Sequence, residues 1–180
     1  MHHVLALLAS LMLLAPLARG ADTVTEEKAI GHTLDALHAA AAAADGERYF
    51  ALFAADAVFI GTDAAERWTL EQFRDYASPL FAHGTGWVYR PRERHITLAG
   101  LPCACIAWFD KLLDSQSYGT SRGTGVLVLD EDGAWKIAQY ALTFPMPNDL
   151  ATELTGRIRG FEGVDAQRQD QAPGGASVNP

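Results

Sequence analysis

The stretch Asp45-Gly46-Glu47-Arg48-Tyr49-Phe50-Ala51-Leu52-Phe53-Ala54-Ala55-Asp56-Ala57-Val58-Phe59 carries the most structural information in the chain. Asp45-Gly46 stops one helix, and the Asp45 carboxylate can cap the next. Tyr49, Phe50, Leu52 and Phe53 crowd apolar groups onto a helix too short to stand alone, so it must pack against something. Ala55-Asp56 ends it. Val58, Phe59 and Ile60 then form a short buried strand, closed by Gly61.

Upstream of this stretch, Ile30, Leu34, Leu37 and Ala41 recur at i, i+4, i+7 and i+11, which places one apolar stripe on a helix. The six alanines of 39–44 favour that helix further. His32 and His38 flank the stripe and are expected at the surface or the edge of the core. Downstream, Thr69 and Gln72 have the spacing of a capping box that opens a third helix. Leu70, Phe73, Ala77 and Leu80 lie on one side of it. Pro79 should kink or end it near Ser78.

Beyond the His83–Gly86 loop the pattern changes to strands. Trp87–Tyr89 with Arg94–Leu98, Ala104–Leu113, Arg122–Leu129 and Trp135–Phe144 are expected to form an antiparallel meander, with Asp132-Gly133 in a hairpin turn. The fold class is therefore α+β, a curved antiparallel sheet wrapped around a long N-terminal helix, an α+β cone.

Two stretches carry a resemblance to a known family. The segment 45–59 resembles the region between the first helix and first strand of SnoaL-like members of the nuclear-transport-factor-2-like superfamily. Gly133-Ala134-Trp135-Lys136-Ile137 resembles the ending of the last strand in the same group. The resemblance covers about Thr25 to Pro147 and implies the cone fold. It leaves function open, because the fold hosts isomerases, dehydratases, cyclases, non-catalytic binders and dimerisation modules. Ketosteroid isomerase-like members place a carboxylate base at a position that falls here at or next to Gly61, with Asp63 two residues on. They place a tyrosine where this chain has Leu37 or its neighbours. The paired tyrosines and histidines of scytalone dehydratase-like members cannot be assembled from this sequence either.

Composition bounds the rest. The chain has 180 residues, 49 % of them hydrophobic and 20 % charged, which suits one globular domain of 22–147. A net charge of −8 argues against nucleic acid as a partner. Arg90, Arg92 and Arg94 are expected on a solvated strand. Val4–Leu17 has the length and hydropathy of a signal-peptide core, with small residues before a cut after Gly20, so residues 1–20 are expected to be removed on export to the periplasm or outside the cell, leaving no membrane attachment. Residues 148–161 are expected to form a helical extension, and 162–180 a disordered tail. Cys103 and Cys105, two apart on a strand, would sit roughly 6.5–7 Å apart, at the limit for a bridge, so both are expected as packing residues. Neither a metal motif nor a nucleotide or other cofactor fingerprint is present, so no cofactor is expected.

The mouth of the cone is the expected cavity. Strand alternation offers Ala104, Ile106, Trp108 and Asp110 as its lining, against Cys103, Cys105, Ala107, Phe109 and Lys111 on the other face. On the last strand Trp135, Ile137, Gln139 and Thr143 are expected inward, with Ala138, Tyr140 and Leu142 on the outer face. Asp110, with Arg122 or His95 beside it, is the candidate acid or base. Trp87, Tyr89, Trp108, Gln139 and Phe59 are the candidate ligand-contacting residues. The expected function is binding of a small, largely apolar ligand. The alternatives are a cofactor-free isomerase, dehydratase or cyclase using a cavity carboxylate, and an interaction module without a ligand. The apolar outer face is expected to join two copies through their sheets.

Overall fold

In the computed structural model the backbone of residues 16–171 is described, with the side chains of 23–163. The core of the expected signal segment, up to residue 15, lies outside the described residues, as do residues 172–180.

Helix α1 (Pro16–Ala42) ends where Ala44 takes a left-handed backbone conformation. Helix α2 (Gly46–Phe50) is capped by Asp45, whose carboxylate accepts from the Arg48 N–H at 3.0 Å. Strand β1 (Phe53–Ile60) pairs with a short strand that the sequence did not suggest, β2 (Arg67–Thr69). Thr69 then opens α3 (Leu70–Ala82) through a complete capping box: Thr69 Oγ1 accepts from the Gln72 N–H, and Gln72 Oε1 accepts from the Thr69 N–H. Pro79 does not end α3, which runs a further turn. It sits near the C-terminal end, where few hydrogen bonds remain to be lost, and Phe81 beyond it is buried and anchors the last turn.

Strands β3 (Arg90–Leu98), β4 (Ile106–Ser115), β5 (Gly119–Leu129) and β6 (Trp135–Thr143) make the antiparallel meander, in the sheet order β2-β1-β6-β5-β4-β3. Trp87–Tyr89 belong to the loop before β3, not to a strand. β1 returns to lie parallel to β6, with Phe59 opposite Tyr140. Helix α1 touches strands far apart in this order. Arg94 of β3 donates to the Gly31 carbonyl, and Trp135 of β6 donates to Glu26 at 2.6 Å. A helix can reach both only if the sheet curls around it. The stripe Ile30, Leu34, Leu37 and Ala41 is thereby buried on the concave face. Each such leucine or isoleucine contributes about 1.5–3 kcal/mol by leaving water.

The chain divides into two units, Met1–Phe144 and Pro145–Pro180. In the second, a 3₁₀ turn (Asn148–Leu150) leads into α4 (Ala151–Gln171), so the helix continues past Phe161 into residues expected to be disordered. Among the described residues, no helix is long and apolar enough to cross a membrane.

Cys103 and Cys105 form a disulfide, which corrects their reading as free packing residues. The strand argument fails because β4 begins only at Ile106. Ala104 takes a left-handed conformation between them, which draws their Cα atoms to 5.1 Å.

Candidate functional site

Three rows of cross-strand partners line the concave face. At one end Leu98, Ala107, Leu127, Ile137 and Phe53 make an apolar row. The middle row is Ile96, Phe109, Gly125, Tyr140 and Phe59. The next is Arg94, Lys111, Gly123 and Leu142. The interior thus passes from wholly apolar to cationic within three rows.

The two glycines make room for their neighbours. A Cβ on Gly123 would stand 2.4 Å from Tyr140 Oη and 3.2 Å from Lys111 Cε. One on Gly125 would stand 2.9 Å from Phe109 Cε1 and 2.1 Å from the Gln139 carbonyl oxygen. Glycine inside a strand marks close approach, and here what approaches is the Tyr140 hydroxyl and the lysine stem.

Against these rows lies a cleft lined by Leu37, His38, Ala41, Tyr49, Phe59, Trp87, Tyr89, Tyr140 and Leu142. Its enclosed depth is about 20 Å³, room for about one water, and with the open mouth the empty space is about 280 Å³. The walls are aromatic: Tyr49 meets Trp87 edge-on at 5.5 Å, and Phe59 stacks on Tyr140 at 5.7 Å. A wider depression between α2 and α3, about 410 Å³, is shallow and open, and the one cation on its rim, Arg74, already stacks on Phe50. The aromatic cleft is the better candidate because it adjoins buried groups that lack partners.

Among the described residues, four buried side-chain atoms have no hydrogen-bond partner: His38 Nε2, Arg94 Nε, Lys111 Nζ and Ser121 Oγ. Lys111 is 1 % exposed, with its ammonium 5.0 Å from the Phe109 ring centre and 5.2 Å from that of Tyr140. Arg94, its partner across β3 and β4, is engaged elsewhere. One guanidinium nitrogen donates to Gly31 and another to Asp35. Ser121 lies on β5 two residues from Gly123, the residue opposite Lys111, so the two side chains are diagonal neighbours on one face.

Burial and proximity set the charges. Burial, with Arg94 nearby, lowers the Lys111 ammonium to about 7, while Asp35 pulls the other way. Burial lowers His38 to about 3, and Lys111 and Arg94 push in the same direction. Burial raises the Tyr140 hydroxyl well above its ordinary value. Near neutral pH the cleft therefore presents a neutral imidazole and a protonated phenol, and Lys111 lies at its titration midpoint.

The sequence-derived candidates divide sharply. Phe59, Trp87 and Tyr89 line the cleft. Asp110, His95, Trp108, Gln139 and Arg122 do not: all five are exposed and lie on the convex face. His95 and Asp110 stand opposite each other there, and Arg122 is opposite Leu112, diagonal to Asp110. The face of β4 expected to point outward is the one that turns in, with Ala107, Phe109, Lys111 and Leu113 buried. Alternation gave two candidate faces, and Trp108 and Ile106 made the wrong one look more apolar. On β6 the expectation holds as far as Ile137 and then fails. A bulge places Val126 opposite Gln139 and Leu127 opposite Ile137, so Ala138 has no partner of its own. The extra residue reverses parity, turning Gln139 out and Tyr140 in.

Lys111, His38, Arg94 and Tyr140 are the residues that sequence reasoning missed. A readable signal existed: Lys111 shares parity with Ala107, Phe109 and Leu113, while Gly123 and Gly125 alternate on the neighbouring strand. Among the described residues no carboxylate lines the cleft, and the two ketosteroid isomerase-like positions are occupied differently. Gly61 packs against Glu66, Asp63 is exposed, and Leu37 lines the cleft without a polar group. Among the described residues no cluster of His, Cys, Asp and Glu could hold a metal ion.

A curled sheet with an N-terminal helix across its concave face and an aromatic cleft between them defines an α+β cone protein. The chain belongs to the SnoaL-like domain family, whose model matches residues 30–147. Solved structures agree on the fold. A nuclear-transport-factor-2-like protein with a cystatin-like fold from Novosphingobium aromaticivorans matches with a TM-score of 0.57 at 14 % identity, over 81 % of this chain and 98 % of its own. A candidate ketosteroid isomerase from Shewanella frigidimarina matches with a TM-score of 0.51 at 21 % identity, over 63 % and 94 %. A candidate scytalone dehydratase from Novosphingobium aromaticivorans matches with a TM-score of 0.58 at 14 % identity, over 71 % and 89 %. At these identities the likeness shows the fold alone. No functionally curated protein matches the chain.

Proposed function

We propose that this protein binds a small, largely apolar molecule in the aromatic cleft between α1 and the concave face of the sheet. The observation that carries the reading is the cleft itself, with aromatic walls and, in His38 Nε2, a lining polar atom that the protein leaves without a partner. Its volume suits a ligand with a single ring or a short chain. Ligand-detected NMR with small aromatic compounds tests it. Leu142→Trp, which fills the cleft from its β6 wall, should abolish binding while the fold is kept. Equal binding by the variant would overturn the reading.

A second reading, a cofactor-free enzyme, draws on Lys111, whose ammonium is lowered to about 7 beside the cleft, with His38 held there as a neutral imidazole. It no longer has a cavity carboxylate to use. A domain that works only through its surface draws on the small enclosed depth of the cleft.

Export is also proposed. Beside the apolar N-terminal stretch, the Cys103–Cys105 disulfide suits an oxidising compartment. Mass spectrometry of protein secreted by a bacterial host should find Ala21 at the N-terminus; an intact Val4–Leu17 segment would defeat the proposal.

A further inference from the structure

We propose that the ligand of the cleft is an anion, a small apolar carboxylate whose charged end is held by Lys111 with His38 and Ser121 at the cationic end of the concave face. This rests on the reading of the cleft as a ligand site and adds the chemistry of the ligand.

The buried groups around Lys111 are rich in donors and poor in acceptors. Arg94 Nε can only donate, and a protonated Lys111 Nζ offers three donors. Ser121 Oγ and a suitably protonated His38 Nε2 can donate as well. The acidic group at this end, Asp35, already accepts from Arg94 and is itself exposed. A buried cation without a counter-ion or a hydrogen bond is costly, and folded proteins rarely keep one without a use. A carboxylate has two oxygens with about four acceptor sites and one negative charge, which matches the unmet donors and the one unpaired cation.

The surroundings select the rest of the molecule. His38 and Tyr140 line the cleft, and the Lys111 ammonium lies against the Tyr140 ring. Lysine's four-carbon stem lets Nζ turn toward an oxyanion in the deep end. Tyr49, Phe59, Trp87 and Tyr89 then enclose the apolar body. The enclosed depth, about 20 Å³, is room for about one water, so the apolar body would occupy the open part of the cleft.

The proposal also predicts proton linkage. Lys111 is lowered to about 7 in the empty site. A carboxylate beside it favours the charged form, so binding above neutral pH should draw a proton from solution.

Benzoate and its neutral isostere benzamide are the probes. Calorimetric titration of the full chain at pH 8, in two buffers of different ionisation enthalpy, should show benzoate binding at least tenfold tighter than benzamide. Proton uptake should approach one per site. Lys111→Met should remove both the preference and the uptake. The wild-type selectivity and uptake stand as tests on their own should the variant fold poorly. Equal affinity for the two probes, or benzoate binding unchanged in Lys111→Met, would overturn the anion proposal and leave the cleft as a site for neutral ligands. Binding of neither probe would overturn the cleft reading as well.

Discussion

Asp110 and Lys111 are neighbours in β4, carry opposite charges, and have opposite fates. Asp110 stands in water on the convex face, opposite His95 and Thr124. Lys111 is 1 % exposed on the concave face, between Arg94 and Gly123, with aromatic rings in place of a counter-ion. One residue of strand separates an ordinary surface acid from a desolvated base. The difference teaches that in a sheet buried on one side, the chemistry of a charged residue is set by its parity before its type.

The sharpest way to break the comparison is to remove the buried charge. Lys111→Met should raise stability near pH 6 by an amount on the order of a few kcal/mol, because each unit of pKa displacement corresponds to about 1.4 kcal/mol. The sign follows from proton binding. In the unfolded chain Lys111 holds its proton up to its ordinary value of 10.5; in the folded protein it releases it near 7. Between these values the unfolded state binds more protons, so wild-type stability rises with pH, and it falls as pH drops through 7. The advantage of Lys111→Met should therefore be full below about pH 7 and vanish toward 10.5. His38 has the same sign in a lower window: its neutral form is favoured by folding, so its contribution is full above 6.5 and is lost as pH falls toward 3. Urea denaturation of wild type and variant across pH 3–10 reads both. A pH-independent gap between them would mean that Lys111 is hydrated in the folded state.

A smaller effect tests the convex face as a surface in its own right. Trp108 is 49 % exposed there, with Val126 opposite it and partly buried. We propose that two copies pair through this face, Trp108 taking the place of Tyr140 and Leu142 in the sequence-based expectation. Light scattering at micromolar concentration should give twice the mass of one chain. Trp108→Glu should return it to one, as loss of a central aromatic anchor costs roughly 2 kcal/mol or more. A wild-type monomer would end the proposal.

The smallest effect is expected at Asp110. Among the described residues it makes no ion pair, so Asp110→Asn should shift stability by less than about 1 kcal/mol and leave benzoate binding unchanged. A loss of binding would show that the two faces of β4 communicate, and would restore Asp110 as a candidate.

The sequence by itself determined the α+β class, the apolar stripe of α1, the Asp45 and Thr69 caps, and the meander of four strands. These follow from periodicity and from capping chemistry, which act over a few residues. It also marked Phe59, Trp87 and Tyr89 as aromatics worth placing, and all three line the cleft. Only the tertiary structure decided which face of each strand turns inward. Alternation yields two equivalent faces, and the choice depends on what packs across them: Ala107 and Phe109 of β4 join the buried cluster that holds Ile30, Leu34 and Leu37 of α1. The β6 bulge then reverses the parity of Tyr140 and Gln139 by one unpaired residue, and the left-handed turn at Ala104 brings two cysteines within bonding distance. The site at Lys111 belongs to this second group. It is assembled from residues of α1, β3, β4, β5 and β6, and its unmet donors become visible only when the folded chain excludes water from them.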